Sequence, residues 1–133
     1  MKVEIYYVTK AELESWHYDY EKYKDKAGTI IKCISEGKTD SFAKVHEFNF
    51  KNHTEPIELA NTLYTLFNGM LGGEDPMGKP NPLGCKMDEI ISLGVNHKSM
   101  SMGDFIVFPD KVLVVDEIGF AEVPKIKCEV LKQ

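Results

Sequence analysis

The sequence predicts an α+β fold, with a mainly antiparallel sheet packed against one long helix and one or two short ones, and three observations carry that expectation. Short runs of β-branched and aromatic residues, KVEIYYVT early and DFIVF with KVLVV late, have the composition and length of strands. Between them, ELANTLYTLFN repeats apolar residues at spacings of three and four, the period of a helix with one buried face. Pro109-Asp110 is turn chemistry, and it separates two strand-like runs closely enough to make them antiparallel neighbours. At 133 residues the chain fits one domain, residues 1–133, able to bury a core without disulfides or a structural metal.

Taken in order, Lys2–Thr9 is the opening strand. KAELESWHYDYEKYKDK then sets Leu13, Trp16, Tyr20 and Tyr23 three and four residues apart, with Thr9 as N-cap and Glu12 completing a capping box. A helix is favoured there, although the many aromatics leave a strand open. GTIIKCIS and SFAKVHEFNF alternate apolar with polar residues and read as a hairpin turned by SEGKTD, with Ile31, Cys33 and Ser35 on one side of its first strand. Which side of its second strand is buried stays open. The long helix lies in NHTEPIELANTLYTLFNGML, where Ile57, Leu59, Ala60, Leu63, Leu66 and Phe67 form the apolar face, Thr54 caps, Pro56 enters the first turn and Asn68-Gly69 marks the end. GGEDPMGKPNPLG is too rich in Gly and Pro for regular structure, so Leu71–Gly84 is a surface loop. CKMDEIISLGV suits a short helix ending at Gly94, and DFIVF, KVLVVDEIGFAEV and KIKCEVLKQ suit strands.

A composition of 43% hydrophobic and 28% charged residues belongs to a folded chain, and a net charge of −5 supplies no general attraction to nucleic acid or an anionic membrane. Glu12, Glu14, Asp19 and Glu21 make the segment after the first strand acidic, while Lys111, Lys125, Lys127 and Lys132 gather toward the C-terminus; both read first as solvated faces. Cys33, Cys85 and Cys128 are odd in number and have no CxxC spacing, and the first residues lack a signal-peptide pattern, which points to a reduced, cytoplasmic setting. No apolar run approaches the roughly 20 residues of a membrane span. His17, His46, His53 and His97 have no metal-binding spacing and GGEDPMGKP lacks the phosphate-loop pattern, so no metal or cofactor is expected.

NHKSMSMGDFIVF brings His97, Ser99, Ser101 and Asp104 within a few positions of each other. Hydrolytic triads take their geometry from residues distant in sequence, and no GxSxG elbow surrounds either serine. The stretch reads instead as a polar junction, in which the two serines and Asp104 bond neighbouring backbone, Gly103 allows a positive φ, and the strand starts at Phe105. On that reading Ser99→Ala or Asp104→Ala costs about 0.5–2 kcal/mol. Met100 and Met102 are expected in the core.

HKSMSMGDFIVF followed by VLVVDEIGFAEVP resembles the C-terminal half of YodL-like domains, in which a histidine, a hydroxyl-rich segment ending in Asp, an apolar strand and a later D-x-x-G-F-x-x-V come in this order. LANTLYTLFNGM is similar to the helix that precedes them. His97, Ser99, Ser101, Gly103, Asp104, Gly119 and Phe120 match, and the likeness covers about 58–124. It implies a small accessory protein of phages, plasmids or integrative elements, and it brings no reaction with it.

Three functions follow as expectations. The first is a non-enzymatic protein that binds a host or defence protein, with Glu74, Asp75 and Met77 of the loop, and His97, Ser99, Ser101 and Asp104 of the junction, as contact residues. The alternative is a small β-rich nucleic-acid-binding module, against which the net charge counts. The third is an enzyme that uses His97 with Ser99, Ser101 or Asp104.

Overall fold

The computed structural model describes residues 1–50, 55–68, 100–125 and 128. Strands β1 (Lys2–Val8), β2 (Phe42–Asn49), β3 (Phe105–Val107), β4 (Lys111–Val115) and β5 (Phe120–Pro124) form an antiparallel sheet in the order β2-β1-β3-β4-β5. Helices α1 (Lys10–Trp16), α2 (Tyr20–Lys24) and α3 (Lys26–Ser35) follow β1, a 3-10 turn at Thr39–Ser41 leads into β2, and α4 (Pro56–Asn68) follows β2. The α+β class read from the sequence is the class observed.

Both faces of the sheet are covered. Val3, Ile5 and Tyr7 of β1, Ile106 of β3 and Leu113 and Val115 of β4 point to the face packed by Leu59, Ala60, Leu63 and Phe67 of α4. Residues of the other parity, Val8, Phe105, Val107, Val112 and Val114, meet Trp16 of α1 and Ala27, Ile30 and Ile34 of α3. A strand buried on both sides has no polar face, which is why FIVF and VLVV read as unbroken apolar runs. Ile57, expected on the buried face of α4, is instead half exposed, and the Leu66 side chain, Thr54 and Gly69 lie outside what is described.

Residues 28–35 correct the expected hairpin, since they lie in α3 and β2 pairs with β1. The reason is visible locally. Asp25 caps α3 by accepting a bond from Gly28 N at 3.0 Å, and Ala27, Ile30 and Ile34 recur at helical spacing to make one buried stripe. Packing of that stripe on the sheet overrides the strand preference of TII.

The expected helix over KAELESWHYDYEKYKDK is broken in two. Asp19 is a second N-cap, its Oδ1 accepting from Glu21 N at 3.1 Å and Lys22 N at 3.4 Å. Trp16 is buried, whereas Tyr20 and Tyr23 turn outward.

β2 carries an irregularity that explains its ambiguous pattern. Ile5 pairs with His46 but Tyr6 pairs with Lys44, so one residue of β2 is passed over. Beyond such a bulge the parity of the strand reverses. Ala43 before it, Val45 in it and Phe48 after it therefore all reach the α4 side, although their numbers differ in parity.

Candidate functional site

The junction before β3 is built around a buried carboxylate. Asp104 is fully buried; its Oδ1 accepts from Val8 N at 2.8 Å and its Oδ2 from Ser101 N at 2.8 Å and Ser101 Oγ at 3.4 Å. Its backbone carbonyl accepts from Val115 N, also at 2.8 Å. The β1–β3 ladder runs only as far as Tyr6 and Phe105, and beyond it the Asp104 side chain takes the N–H of Val8 in place of a strand. Gly103 makes the turn possible. It has φ +96, and a Cβ there would stand 3.1 Å from both Trp16 Cη2 and Val8 Cγ2. Burial, aided by the negative charge of Asp104, pushes the Tyr7 hydroxyl far above the ordinary tyrosine range.

The local backbone bond expected of Asp104 is present, at Ser101 N, whereas the Ser101 hydroxyl, expected to bond backbone, donates to the Asp104 carboxylate, and the contact with Val8 is the part that sequence adjacency does not reveal. A carboxylate so enclosed supports a surface from beneath and presents none of its own. Ser101 and Met102 are exposed, while Met100 is buried against the α4 side. Glu74, Asp75, Met77, His97 and Ser99 lie outside the described residues, as do the Leu71–Gly84 loop, the helix expected before Gly94 and most of KIKCEVLKQ.

A second polar centre was not singled out as such from the sequence. Glu12 was expected to complete a capping box with Thr9, and half of that box exists: Thr9 Oγ1 accepts from Glu12 N at 3.3 Å. The reciprocal bond is replaced, because Thr9 N donates to Ser41 O at 3.0 Å. The freed carboxylate instead accepts from Ser41 Oγ at 2.7 Å, Trp16 Nε1 at 2.8 Å and Ser15 Oγ at 3.0 Å, with Lys22 Nζ 3.8 Å away. Burial raises its pKa, but these donors and Lys22 outweigh burial and hold Glu12 below the ordinary glutamate value. The only sequence signal for this role was a Glu placed four residues before a Trp on one helix face.

Glu12 borders an open cavity of about 360 Å³ whose rim mixes Asp19, Glu21 and Asp25 with Lys22, Lys32 and Lys38. Its carboxylate is already engaged by protein donors, so the cavity floor has little acceptor capacity for a ligand. The chain from the end of α1 through α2, which supplies Asp19, Glu21 and Lys22 to this rim, is a tyrosine-rich elbow. Tyr18 is 94% exposed, Tyr20 73% and Tyr23 53%, and the Lys26 ammonium lies 4.7 Å from the centre of the Tyr23 ring. The residue that ends α1 just before the elbow, Trp16, is buried and donates to Glu12 at 2.8 Å.

Among the described residues no group of three or more His, Cys, Asp or Glu is arranged to hold a metal, and no helix is long and apolar enough to cross a membrane. Cys33 and Cys128 are buried, and Cys128 Sγ donates to Pro124 O at 3.7 Å. The chain matches no protein family, no curated protein and no solved structure.

Proposed function

We propose that the chain is a protein-binding accessory module of a phage or other mobile element, acting on a host or defence protein without turning over a substrate. The observation that carries the binding reading is the elbow, where three exposed tyrosines, Tyr18, Tyr20 and Tyr23, fall on one short segment. Tyrosine supplies large contact area at small entropic cost, which is why it is enriched at the centres of protein interfaces. The bond from Trp16 to Glu12 fixes the base of the segment before any partner arrives, which lowers the ordering cost of association. The mobile-element context rests on the YodL-like resemblance alone.

Nucleic acid is the second reading, because the same tyrosines offer stacking faces. Charge counts against it: from Tyr18 to Lys26, Asp19, Glu21 and Asp25 offset Lys22, Lys24 and Lys26, leaving a net of 3 − 3 = 0. The test is affinity purification from host lysate with the parent protein and a Tyr18→Ala/Tyr20→Ala variant, alongside a melting curve for each. A specific protein retained by the parent and lost by an equally stable variant supports the proposal. Tight retention of DNA or RNA at physiological salt, with no protein, replaces it with the second reading.

A further inference from the structure

We propose that the groove between α4 and the β4–β5 hairpin is a docking site for an extended peptide segment of a partner protein, one that carries an aromatic or aliphatic anchor flanked by lysine or arginine. This site lies on the α4 side of the sheet, and its apolar anchors Ile57, Tyr64 and Phe120 are distinct from the tyrosine elbow, although Asp116 and Glu117 at its end also border a hollow lined by Tyr23, Lys24 and Lys26.

Two adjoining cavities of about 190 and 330 Å³ share Phe120 as a common wall. Tyr64 of α4 meets Phe120 edge to face with ring centres 6.3 Å apart, and Ile57, half exposed, lines the larger cavity with Leu113. Exposed aromatic and aliphatic side chains that converge on a concavity provide anchor pockets for one or two apolar side chains.

Charge selects the occupant. Among the described residues that line the two cavities, the carboxylates of Glu55, Asp116, Glu117 and Glu122 outnumber the ammonium of Lys111, and Lys24 and Lys26 share a neighbouring hollow with Asp116 and Glu117. Lys111 is itself paired to Glu122 at 3.0 Å, so its charge is already engaged. A basic flank on the ligand relieves this imbalance, and an acidic one aggravates it. The backbone favours an extended ligand as well, since β5 pairs with β4 and, among the described residues, with no strand on its other side.

The probe is a fluorescein-labelled peptide that alternates arginine with leucine and phenylalanine, compared by fluorescence anisotropy with the same peptide carrying glutamate for arginine. The parent protein is expected to bind the arginine peptide at least about tenfold more tightly, with affinity falling as salt rises. Phe120→Ala and the exposed-site variant Glu117→Lys are each expected to weaken that binding severalfold, whereas Tyr18→Ala/Tyr20→Ala leaves it unchanged. The charge-reversal variant keeps the test meaningful if Phe120→Ala fails to fold. Equal binding of the two peptides, binding of neither, or full affinity in Glu117→Lys overturns the proposal. A concentration-dependent dimer in sedimentation that Glu117→Lys dissolves also overturns it, by assigning the groove to a second copy of the chain.

Discussion

The two faces of the sheet are covered by different means. On one, a single helix of 13 residues, α4, packs Leu59, Ala60, Leu63 and Phe67 onto an apolar surface. On the other, α1, α2 and α3 have 7, 5 and 10 residues, and apolar packing there is joined by Glu12, which ties α1 to Ser41 at the head of β2. Helices of 5 and 7 residues are too short to hold together by their own backbone bonds. A long helix with a continuous stripe needs only burial, but several short pieces need directional bonds to fix where each one sits. The contrast teaches that the side-chain bonds around Glu12 gather where the described helices are shortest.

The largest expected effect falls on the face that α4 covers. Phe67 is completely buried and meets Tyr7 edge to face at 6.1 Å. Phe67→Ala is expected to cost about 3–5 kcal/mol in urea denaturation, and Leu63→Ala about 2–5 kcal/mol. A loss below about 1 kcal/mol at Phe67 would mean that α4 is not what holds that face.

Next comes the carboxylate at the sheet's end. Because Asp104 accepts from two backbone N–H groups, one of them 96 positions away, Asp104→Ala is expected to cost about 2–4 kcal/mol, more than a purely local cap. Asp104→Asn keeps one acceptor oxygen and should lose less. If both substitutions cost the same, the amide has not kept that bond.

Glu12 sharpens the comparison through pH. Its pKa in the folded protein lies below the ordinary value of 4.5, so its contribution is complete above that value and fades as pH falls through the lower folded one. Acid titration of the parent is therefore expected to show a stability decrement below pH 4.5 that Glu12→Gln lacks. At neutral pH the substitution should cost about 1–2 kcal/mol, through weakened bonds from Trp16 and Ser41. Coincident acid profiles for the two proteins would remove Glu12 from this role.

The smallest effect belongs to the surface of the β1–β2 pair. Glu4 and Glu47 stand opposite each other, with Lys44 3.4 Å from Glu4 and 3.2 Å from Glu47. Lys44→Ala should change stability by less than about 1 kcal/mol, because exposed pairs are screened by water and salt. A calorimetric change well beyond that would give this pair a weight that neither face's cover requires.

The sequence made some of these features legible and hid others for physical reasons. Leu59, Leu63 and Phe67 could be read because α4 is long and its stripe spans several turns, and Pro109-Asp110 because its turn chemistry is local. Helix α3 was hidden by the strand-like TII and by a cap, Asp25, that also ends α2. Single-residue bulges such as that of β2 leave no compositional mark, so the alternation of AKVHEF gave conflicting sides. The grouping around Glu12 draws on α1, the turn before β2 and the break after Trp16, and no spacing rule connects those places. Ser101 and Asp104 were recognised as a junction, but the reach of Asp104 to Val8 depends on strand order, which local pattern does not encode.

That strand order also sets a timetable. β1 can pair with β2 soon after residue 49 is made, yet its other edge must wait for β3, which begins at Phe105. With β2 ending at Asn49 and Asp104 following much later in the chain, synthesis at roughly 5–20 residues per second leaves about 3–11 s between the two events. Throughout that interval Val3, Ile5 and Tyr7 belong to a sheet with one edge still unpaired, a state open to wrong partners on the ribosome. Arrival of the segment from Ser101 to Val115 closes the edge, and Asp104 is the residue that makes the bond to Val8 at the end of the ladder.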